Sequence, residues 1–283
     1  MARTTPTVSP MPRTTPSPGR GGVARPVRAA RPYAARAGEH RRTRPSRRGL
    51  GARRPHRHRR KRSRAGPPRP HRHRPHFLVF GDSGSGKSSF LRTWITGLAA
   101  RRTAWEARFI VIDYRRSLLG VVPPDHLGAY AGDVNAATAY VEQVAAKLAE
   151  RLPPNDVTTE QLRERSWWTG PEFYLVVDDY DLMSGGRQSP LAPLVDYLPQ
   201  ARELGLHVVI ARRVSGLMRG QMSEPMLNRL RELGADGLIL SGDHREGVVL
   251  GDHRAAQRAP GRGVLVRRQF PTTLVQVALG EDE

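Results

Sequence analysis

Residues 81–88 read GDSGSGKS, and this run constrains the fold more than any other part of the sequence. It follows the apolar residues 77–80 and precedes a stretch of helix-forming residues. A strand, a loop of the pattern GxxxxGK[ST] and a helix together form the phosphate-binding loop of nucleoside triphosphatases. The glycines let backbone N–H groups turn towards an anion, and the helix N-terminus adds partial positive charge. The sequence therefore predicts a nucleoside triphosphate site.

The individual residues of this phosphate loop (residues 81–88) have expected roles. We expect Lys87 to reach the β- and γ-phosphates and to act in catalysis, and the Ser88 hydroxyl to ligate Mg²⁺. A glycine-rich surface turn with an exposed lysine is the alternative, and the strand–loop–helix context disfavours it. The residues predicted to bind the nucleotide are Gly81, Asp82, Ser83, Gly84, Ser85, Gly86, Lys87, Ser88 and Ser89.

The net charge of +21 is distributed unevenly along the chain. Residues 1–76 hold 23 Lys and Arg and one acidic residue, whereas residues 77–283 hold 24 basic and 25 acidic residues. The Arg- and Pro-rich segment cannot bury enough apolar surface to offset the entropy of ordering it. We therefore predict a disordered basic tail over residues 1–75 and one α/β domain over residues 76–283.

The composition of the tail leaves two interpretations open. Its Arg clusters could bind nucleic acid or an anionic membrane through phosphate contacts, or the tail is a weakly constrained extension encoded by a GC-rich gene. The sequence has no cysteine, which excludes disulfides and thiolate zinc sites and agrees with a cytosolic setting. No apolar run approaches the ~18–20 residues that cross a bilayer. We expect a cytoplasmic protein, or one peripheral at the cytoplasmic face of the plasma membrane.

Strand and helix patterns alternate from residue 77 onward, which predicts a mostly parallel sheet with helices on both faces. The predicted strands cover residues 77–80, 107–113, 173–178, 207–211, 237–240, 263–266 and 273–278. The predicted helices cover residues 87–100, 134–152, 159–166, 191–204 and 224–233, with bends expected near the two prolines of 191–204.

A second acidic motif ends the third predicted strand, where residues 174–179 read YLVVDD. In an open parallel sheet the carboxyl end of this strand lies beside the phosphate loop. We expect Asp178 to hold Mg²⁺ through water, and Asp179 to take the position of the glutamate that polarises the attacking water. Aspartate is one methylene shorter, so its reach to that water is poorer. The alternative is that both acids merely end a buried strand.

Two further pairs of residues attract attention. Arg212 and Arg213 directly follow the strand HVVIA, a position from which an arginine could sense the γ-phosphate. We therefore place Arg212 among the candidate catalytic residues. The alternative is that both arginines are exposed in a loop. The adjacent Trp167 and Trp168 point to different sides, so core packing of one and a partner contact of the other are both open.

Six segments, which are distributed along nearly all of residues 76–283, are similar to one known family. They resemble the FtsK/SpoIIIE class of P-loop ATPases, and within it the final ATPase domain of the EccC-type ATPases of type VII (ESX) secretion. They are HFLVFGDSGSGKSSFLR, DYRRSLLGVVPPDHL, RSWWTGPEFYLVVDDYDLM, GLHVVIARR, LNRLRELGADGLILSGD and PGRGVLVRR.

The resemblance implies a RecA-like fold that binds ATP and Mg²⁺ at the phosphate loop and Asp178. It also implies a role in recognising or exporting small helical WXG-motif proteins, together with other ATPase domains or a membrane subunit, in an oligomer when assembled. The chain departs from the family by carrying one ATPase domain and no membrane span, which leaves a fragment, a fusion or a detached subunit open. We expect slow ATP hydrolysis by the chain alone.

Two other functions remain open at this stage. DNA-pumping relatives tend to carry Asp-Glu in the second motif and ATQRP after the histidine strand, where this chain has Asp178-Asp179 and ARRVS. A body that grips duplex DNA is usually basic, so nucleic acid would bind only through the tail. The remaining alternative is a module that binds ATP for stability without hydrolysing it.

Overall fold

The computed structural model describes residues 74–183, 189–220 and 224–278. The predicted tail over residues 1–75 lies outside these residues except for its last two positions. The strands are β1 His76–Phe80, β2 Ala107–Ile112, β3 Leu127–Ala131, β4 Glu172–Val177, β5 Leu206–Arg212, β6 Asp236–Ile239, β7 Val248–Leu250, β8 His253–Arg254, β9 Arg262–Arg267 and β10 Phe270–Gln276. The α-helices are α1 Lys87–Ala99, α2 Val134–Glu150, α3 Thr159–Glu164, α4 Ala201–Leu204, α5 Leu217–Gly220 and α6 Pro225–Glu232.

Eight strands form one sheet in the order β10-β9-β6-β1-β5-β4-β2-β3. Every neighbouring pair from β6 to β3 is parallel, whereas β9 pairs antiparallel with β6 and with β10. Strands β7 and β8 form a separate small antiparallel pair. The predicted mostly parallel sheet is confirmed.

Helices cover both faces of the sheet because its central strands are apolar on both sides. In β4, Leu175 and Val177 join one hydrophobic cluster, whereas Tyr174 and Val176 join the other. Helix α2 packs on the first face through Ala137, Val141, Val144 and Leu148. Helix α1 packs on the opposite face through Leu91, Ile95 and Ala99. Burial on two faces is the pattern that near-continuous apolar strands require.

The structure differs from the sequence prediction at four places. Edge strand β3 reads LGAYA and is only partly buried, so its sequence lacks a clear strand pattern. The predicted helix over 191–204 is a 3₁₀ helix over Ala192–Gln200 followed by the single turn of α4. Proline cannot donate a backbone hydrogen bond, which explains the irregular winding around Pro193 and Pro199. Helix α5 and the β7–β8 pair were not predicted.

Both tryptophans of the Trp167-Trp168 pair are half-buried and bonded within the chain. The Trp167 indole N–H donates to the Arg151 carbonyl at 2.7 Å, and that of Trp168 donates to the Glu203 carbonyl at 2.8 Å. The Arg151 guanidinium lies 4.2 Å from the Trp168 ring centre and 4.2 Å from that of Phe173. The pair therefore joins the end of α2 to the chain before β5.

The carboxyl ends of β6, β1, β5 and β4 lie side by side at one edge of the sheet, so the loops that follow them meet there. Across the described ranges, no helix has the length and apolar character needed to span a membrane.

Candidate nucleotide-binding site

The phosphate loop connects β1 to α1, as the motif predicts. Gly84 and Gly86 have φ angles of 72° and 100°, values that favour glycine. Gly86 directly precedes α1, and a Cβ atom at this position would lie 3.1 Å from the Gly261 Cα atom. Glycine is therefore favoured here both by the backbone conformation and by the close approach of Gly261.

The phosphate loop and the acidic motif meet in one hydrogen bond. The Ser88 hydroxyl donates to the Asp178 Oδ2 atom at 2.6 Å, although the two residues are 90 positions apart. Asp178 is 3% exposed, and burial raises its pKa, while the hydrogen bond from Ser88 opposes the rise. The two residues predicted to hold the metal are therefore brought together.

A metal ion at this point would find the ligands it needs. Ser88 and Asp178 supply hydroxyl and carboxylate oxygens, the donor types that Mg²⁺ prefers, and Mg²⁺ commonly completes its shell with phosphates and water. Within the described ranges, no cluster of three or more His, Cys, Asp or Glu side chains could hold a metal on its own. The residues thus fit a metal that arrives with a phosphorylated ligand.

Asp179 has a buried carboxylate between two cations. Its Oδ1 atom lies 3.8 Å from the Lys87 Nζ atom, and its Oδ2 atom lies 3.1 Å from the Arg115 Nε atom. The residue has a φ angle of 46°, in the left-handed region, where a side chain other than glycine is strained. Lys87, 6% exposed, also donates to the Asp82 carbonyl at 3.4 Å. Two predicted catalytic residues, Lys87 and Asp179, are thus neighbours.

The Asp82 side chain is engaged by the protein rather than directed at a ligand. Its Oδ1 atom accepts hydrogen bonds from the Ser215 N–H and hydroxyl, both at 3.0 Å, and its Oδ2 atom accepts one from the Asp243 N–H at 3.2 Å. Ser215 follows β5, and Asp243 follows β6. Asp82 therefore fastens the phosphate loop to the loops after the two strands that flank β1.

A cavity of about 330 Å³ opens beside the phosphate loop. Six of the nine predicted nucleotide-binding residues line it together with Asp179, and they are Ser83, Gly84, Gly86, Lys87, Ser88 and Ser89. Sequence reasoning did not identify the remaining lining residues, apart from Arg213, as part of the site. They are Arg115, Ser117, Pro260, Gly261, Gln276 and Val277.

Different signals could have identified these residues. Arg115 and Ser117 follow β2, whose carboxyl end lies at the same edge of the sheet as the phosphate loop. Pro260 and Gly261 belong to the turn signal PGRG, but nothing in the sequence places that turn against the phosphate loop. In the structure the Gly261 N–H donates to the Ser85 carbonyl at 2.9 Å.

The prediction for Arg212 needs correction. Its Nε and Nη2 atoms donate to the two carboxylate oxygens of Glu224 at 2.9 and 2.8 Å, and both side chains are buried. Its Nη1 atom donates to the Arg213 carbonyl at 2.7 Å. With its donors used in this way, Arg212 does not line the cavity. Arg213 lines the cavity instead, and its Nε atom donates to Asp181 at 2.6 Å.

A mostly parallel sheet, a phosphate loop after its central strand and a buried aspartate bonded to the loop serine define a P-loop nucleoside triphosphatase fold. Residues 36–170 match the FtsK/SpoIIIE family. The chain belongs to this family, whose members bind a nucleotide with a divalent metal.

The relatives narrow this class further. The chain is 46% identical over 207 residues to the ESX secretion system protein EccC of Thermomonospora curvata, and 44% identical over 204 residues to the ESX-4 secretion system protein EccC4 of Mycobacterium tuberculosis. These alignments cover 73% and 72% of this chain and 16% of each relative, so the chain spans about a sixth of their length.

A solved structure shows the same similarity. ATPases 2 and 3 of Thermomonospora curvata EccC, in complex with a signal sequence peptide, match with a TM-score of 0.70 at 46% identity. The match covers 73% of this chain and 37% of that one. The resemblance to EccC ATPase domains is thus confirmed by sequence and by fold.

Proposed function

We propose that residues 76–283 form an ATPase domain of a type VII secretion ATPase, preceded by the basic tail, and that this domain binds ATP with Mg²⁺ and hydrolyses it slowly when alone. The observation that carries the proposal is the 2.6 Å hydrogen bond from Ser88 to Asp178. It joins the motif that binds phosphate to the motif that holds the metal, and neither motif alone would support nucleotide hydrolysis.

Each residue of the site has a proposed role. The backbone of the phosphate loop surrounds the phosphates, and Lys87 neutralises part of their charge. Ser88 and Asp178 would hold Mg²⁺, which would supply positive charge beside the phosphates. Asp179 orients and polarises the attacking water, while Asp82 contributes its backbone and keeps the loop in place.

Slow turnover is expected from the surroundings of Asp179. Its carboxylate is bonded to Arg115 and lies near Lys87, so both of its oxygens already face cations with which an attacking water would have to compete. Its short side chain also limits its reach. The same observations favour a second candidate, a module in which ATP stabilises the fold and is not hydrolysed.

The wider role follows from the relatives. Because an EccC structure carries a signal sequence peptide, we propose that this domain helps to recognise or export small helical WXG-motif proteins. It would act with other ATPase domains or a membrane subunit of the secretion complex, as an oligomer on the cytoplasmic side of the membrane. Nucleic acid would bind only through the tail.

The test is binding and turnover of ATP by the full chain with and without Mg²⁺, with Lys87→Ala for comparison. Because the Arg-rich tail attracts polyphosphates by charge alone, only the binding that Lys87→Ala removes counts as binding at the site. We expect Mg²⁺-dependent binding that Lys87→Ala weakens by at least about tenfold, the loss expected for a hydrogen bond to a charged group.

Three outcomes of this test separate the alternatives. Slow turnover lost in Lys87→Ala supports the secretion ATPase, and binding without turnover supports the structural module. Fast turnover that rises with duplex DNA would favour a DNA translocase. Equal ATP binding by the wild type and Lys87→Ala would contradict a nucleotide site at the phosphate loop.

A further inference from the structure

Arg115 is a cation of the nucleotide cavity that neither motif contains. It follows β2, lines the cavity and has a half-exposed side chain, with its Nε atom 3.1 Å from the Asp179 Oδ2 atom. Lys87 approaches the other oxygen of the same carboxylate at 3.8 Å. Asp179 therefore lies between the lysine that the motif assigns to phosphate and an arginine that no motif assigns.

The loop that carries Arg115 is held in place from two sides. The buried Asp113 carboxylate accepts hydrogen bonds from the Leu118 N–H at 2.6 Å and from the Tyr130 hydroxyl at 2.9 Å. Arg92, on α1 immediately beyond the phosphate loop, donates to the Ser117 carbonyl through its Nε and Nη2 atoms at 3.1 and 2.6 Å. Arg115 thus projects from a backbone that is hydrogen-bonded on both sides.

A nucleoside triphosphate brings about four negative charges into this cavity at neutral pH. Phosphate oxygens and the Asp179 carboxylate are both acceptors for a guanidinium, and a triphosphate presents more charge than one carboxylate. Asp179 directly follows Asp178, the residue proposed to hold the metal. Arg115, which is paired with Asp179, therefore lies near the part of the ligand that the metal and Lys87 would contact. That part is the terminal phosphate.

We propose that Arg115 binds the terminal phosphate of the bound nucleoside triphosphate. When no triphosphate is bound, Arg115 is paired with Asp179 instead. Transfer of Arg115 from Asp179 to phosphate leaves the Asp179 carboxylate available to a water molecule. Arg115 is then both a phosphate ligand and the residue that sets when Asp179 is available. This inference rests on the proposed nucleotide site.

The experiment compares Arg115→Met with Arg116→Met in the full chain, using Mg²⁺ with ADP or with the non-hydrolysable β,γ-imido analogue of ATP. Arg116 is the adjacent exposed arginine, and it does not line the cavity, so its variant controls for the loss of one positive charge. We expect Arg115→Met to weaken binding of the analogue about tenfold or more, as for loss of a charge-assisted hydrogen bond, and to leave ADP binding within about twofold. Arg115→Lys should recover part of the loss because it keeps the charge without the planar fork.

The outcomes separate this inference from the proposed function. Equal losses for ADP and the analogue in a folded Arg115→Met variant, or losses matched by Arg116→Met, would overturn a contact with the terminal phosphate while leaving the nucleotide site intact. A misfolded variant would lose both ligands together, and the Arg115→Lys variant then decides through its selectivity for triphosphate over diphosphate. Failure of the wild type to bind either ligand would overturn the proposed function and this inference with it.

Discussion

Asp178, the residue proposed to hold the metal, has a carboxylate whose burial lowers the stability of the folded protein. Its carboxylate is buried at the end of β4, and burial raises its pKa despite the hydrogen bond from Ser88. A pKa above the unfolded value means that the folded protein binds this proton more tightly. The contribution of Asp178 to the free energy of unfolding therefore rises as the pH falls through the folded-state pKa of this group. That contribution is lowest at neutral pH, where the carboxylate is charged.

Replacing Asp178 with asparagine should therefore stabilise the nucleotide-free protein while abolishing Mg²⁺-dependent nucleotide binding. Asparagine can keep an acceptor for the Asp179 N–H and donate to the Ser88 oxygen, so the contacts survive without a buried charge. We expect a gain of about 1 kcal/mol in the free energy of unfolding, or about 2–4 °C in Tm at this size. Calorimetry of Asp178→Asn measures this change in Tm, and the same substitution at the exposed Asp156 serves as the control. A lower Tm than the wild type would contradict this account.

The element that precedes β5 depends on one glycine. Gly205 has a φ angle of 69°, and a Cβ atom there would lie 2.7 Å from the Trp168 ring. That ring stacks on Arg151, which donates to the Leu204 carbonyl at 3.0 Å, so glycine, tryptophan and arginine form one packing unit. The sequence left core packing and a partner contact open for the two tryptophans, and these contacts give both of them a role in the fold.

Gly205→Ala should cost more than the same change at Gly120, which also has a positive φ angle but open space around its Cα atom. Left-handed backbone alone costs about 1–2 kcal/mol for alanine, and the overlap with Trp168 adds about 1–3 kcal/mol at Gly205. Urea unfolding of the two variants measures the difference in the free energy of unfolding. Equal losses of unfolding free energy in the two variants would show that the Trp168 ring moves aside without cost.

Glu172 lies at the end of β4 that is remote from the site, and its carboxylate accepts hydrogen bonds from three side chains. It accepts hydrogen bonds from His207 at 3.2 Å, from the Tyr174 hydroxyl at 3.1 Å and from Arg165 at 2.9 Å, and His207 stacks on Tyr174. The hydrogen bond to His207, opposed by burial and helped by the charges of His207 and Arg165, lowers the pKa of Glu172 to about 2. His207 is thus a hydrogen-bonded and stacked residue of the sheet.

The whole molecule should consequently lose stability in acid. Because the folded-state pKa of Glu172 lies below its ordinary value of 4.5, its contribution is full above that pH and disappears as the pH falls towards about 2. Glu172→Gln should lower the free energy of unfolding by about 1–3 kcal/mol at pH 7 and by less at pH 3. Denaturant unfolding at both pH values, with the exposed Glu164→Gln as control, measures this. If Glu172→Gln lost the same unfolding free energy at both pH values, the lowered pKa of Glu172 would not contribute to stability.

At the scale of the whole molecule, the sequence predicted what local pattern determines. The phosphate loop, the strand before it and the acids that end β4 were identified because each has its own spacing and apolar context. The edge strand β3 and the contribution of Arg115, Gly261 and Gln276 to the cavity were missed because they arise only when the sheet is assembled. Arg212 was placed among the candidate catalytic residues because the sequence gives the end of a strand but not the direction of its side chain.

The Asp82 contacts have a thermodynamic consequence for the site. A glycine-rich loop has many conformations in the absence of restraint, and a ligand that has to order it binds more weakly by the entropy that is lost. Here the Asp82 carboxylate holds the loop to Ser215 and Asp243 within the protein itself. The loop is therefore ordered during folding, so a ligand meets a preorganised cradle and keeps more of its interaction energy as affinity.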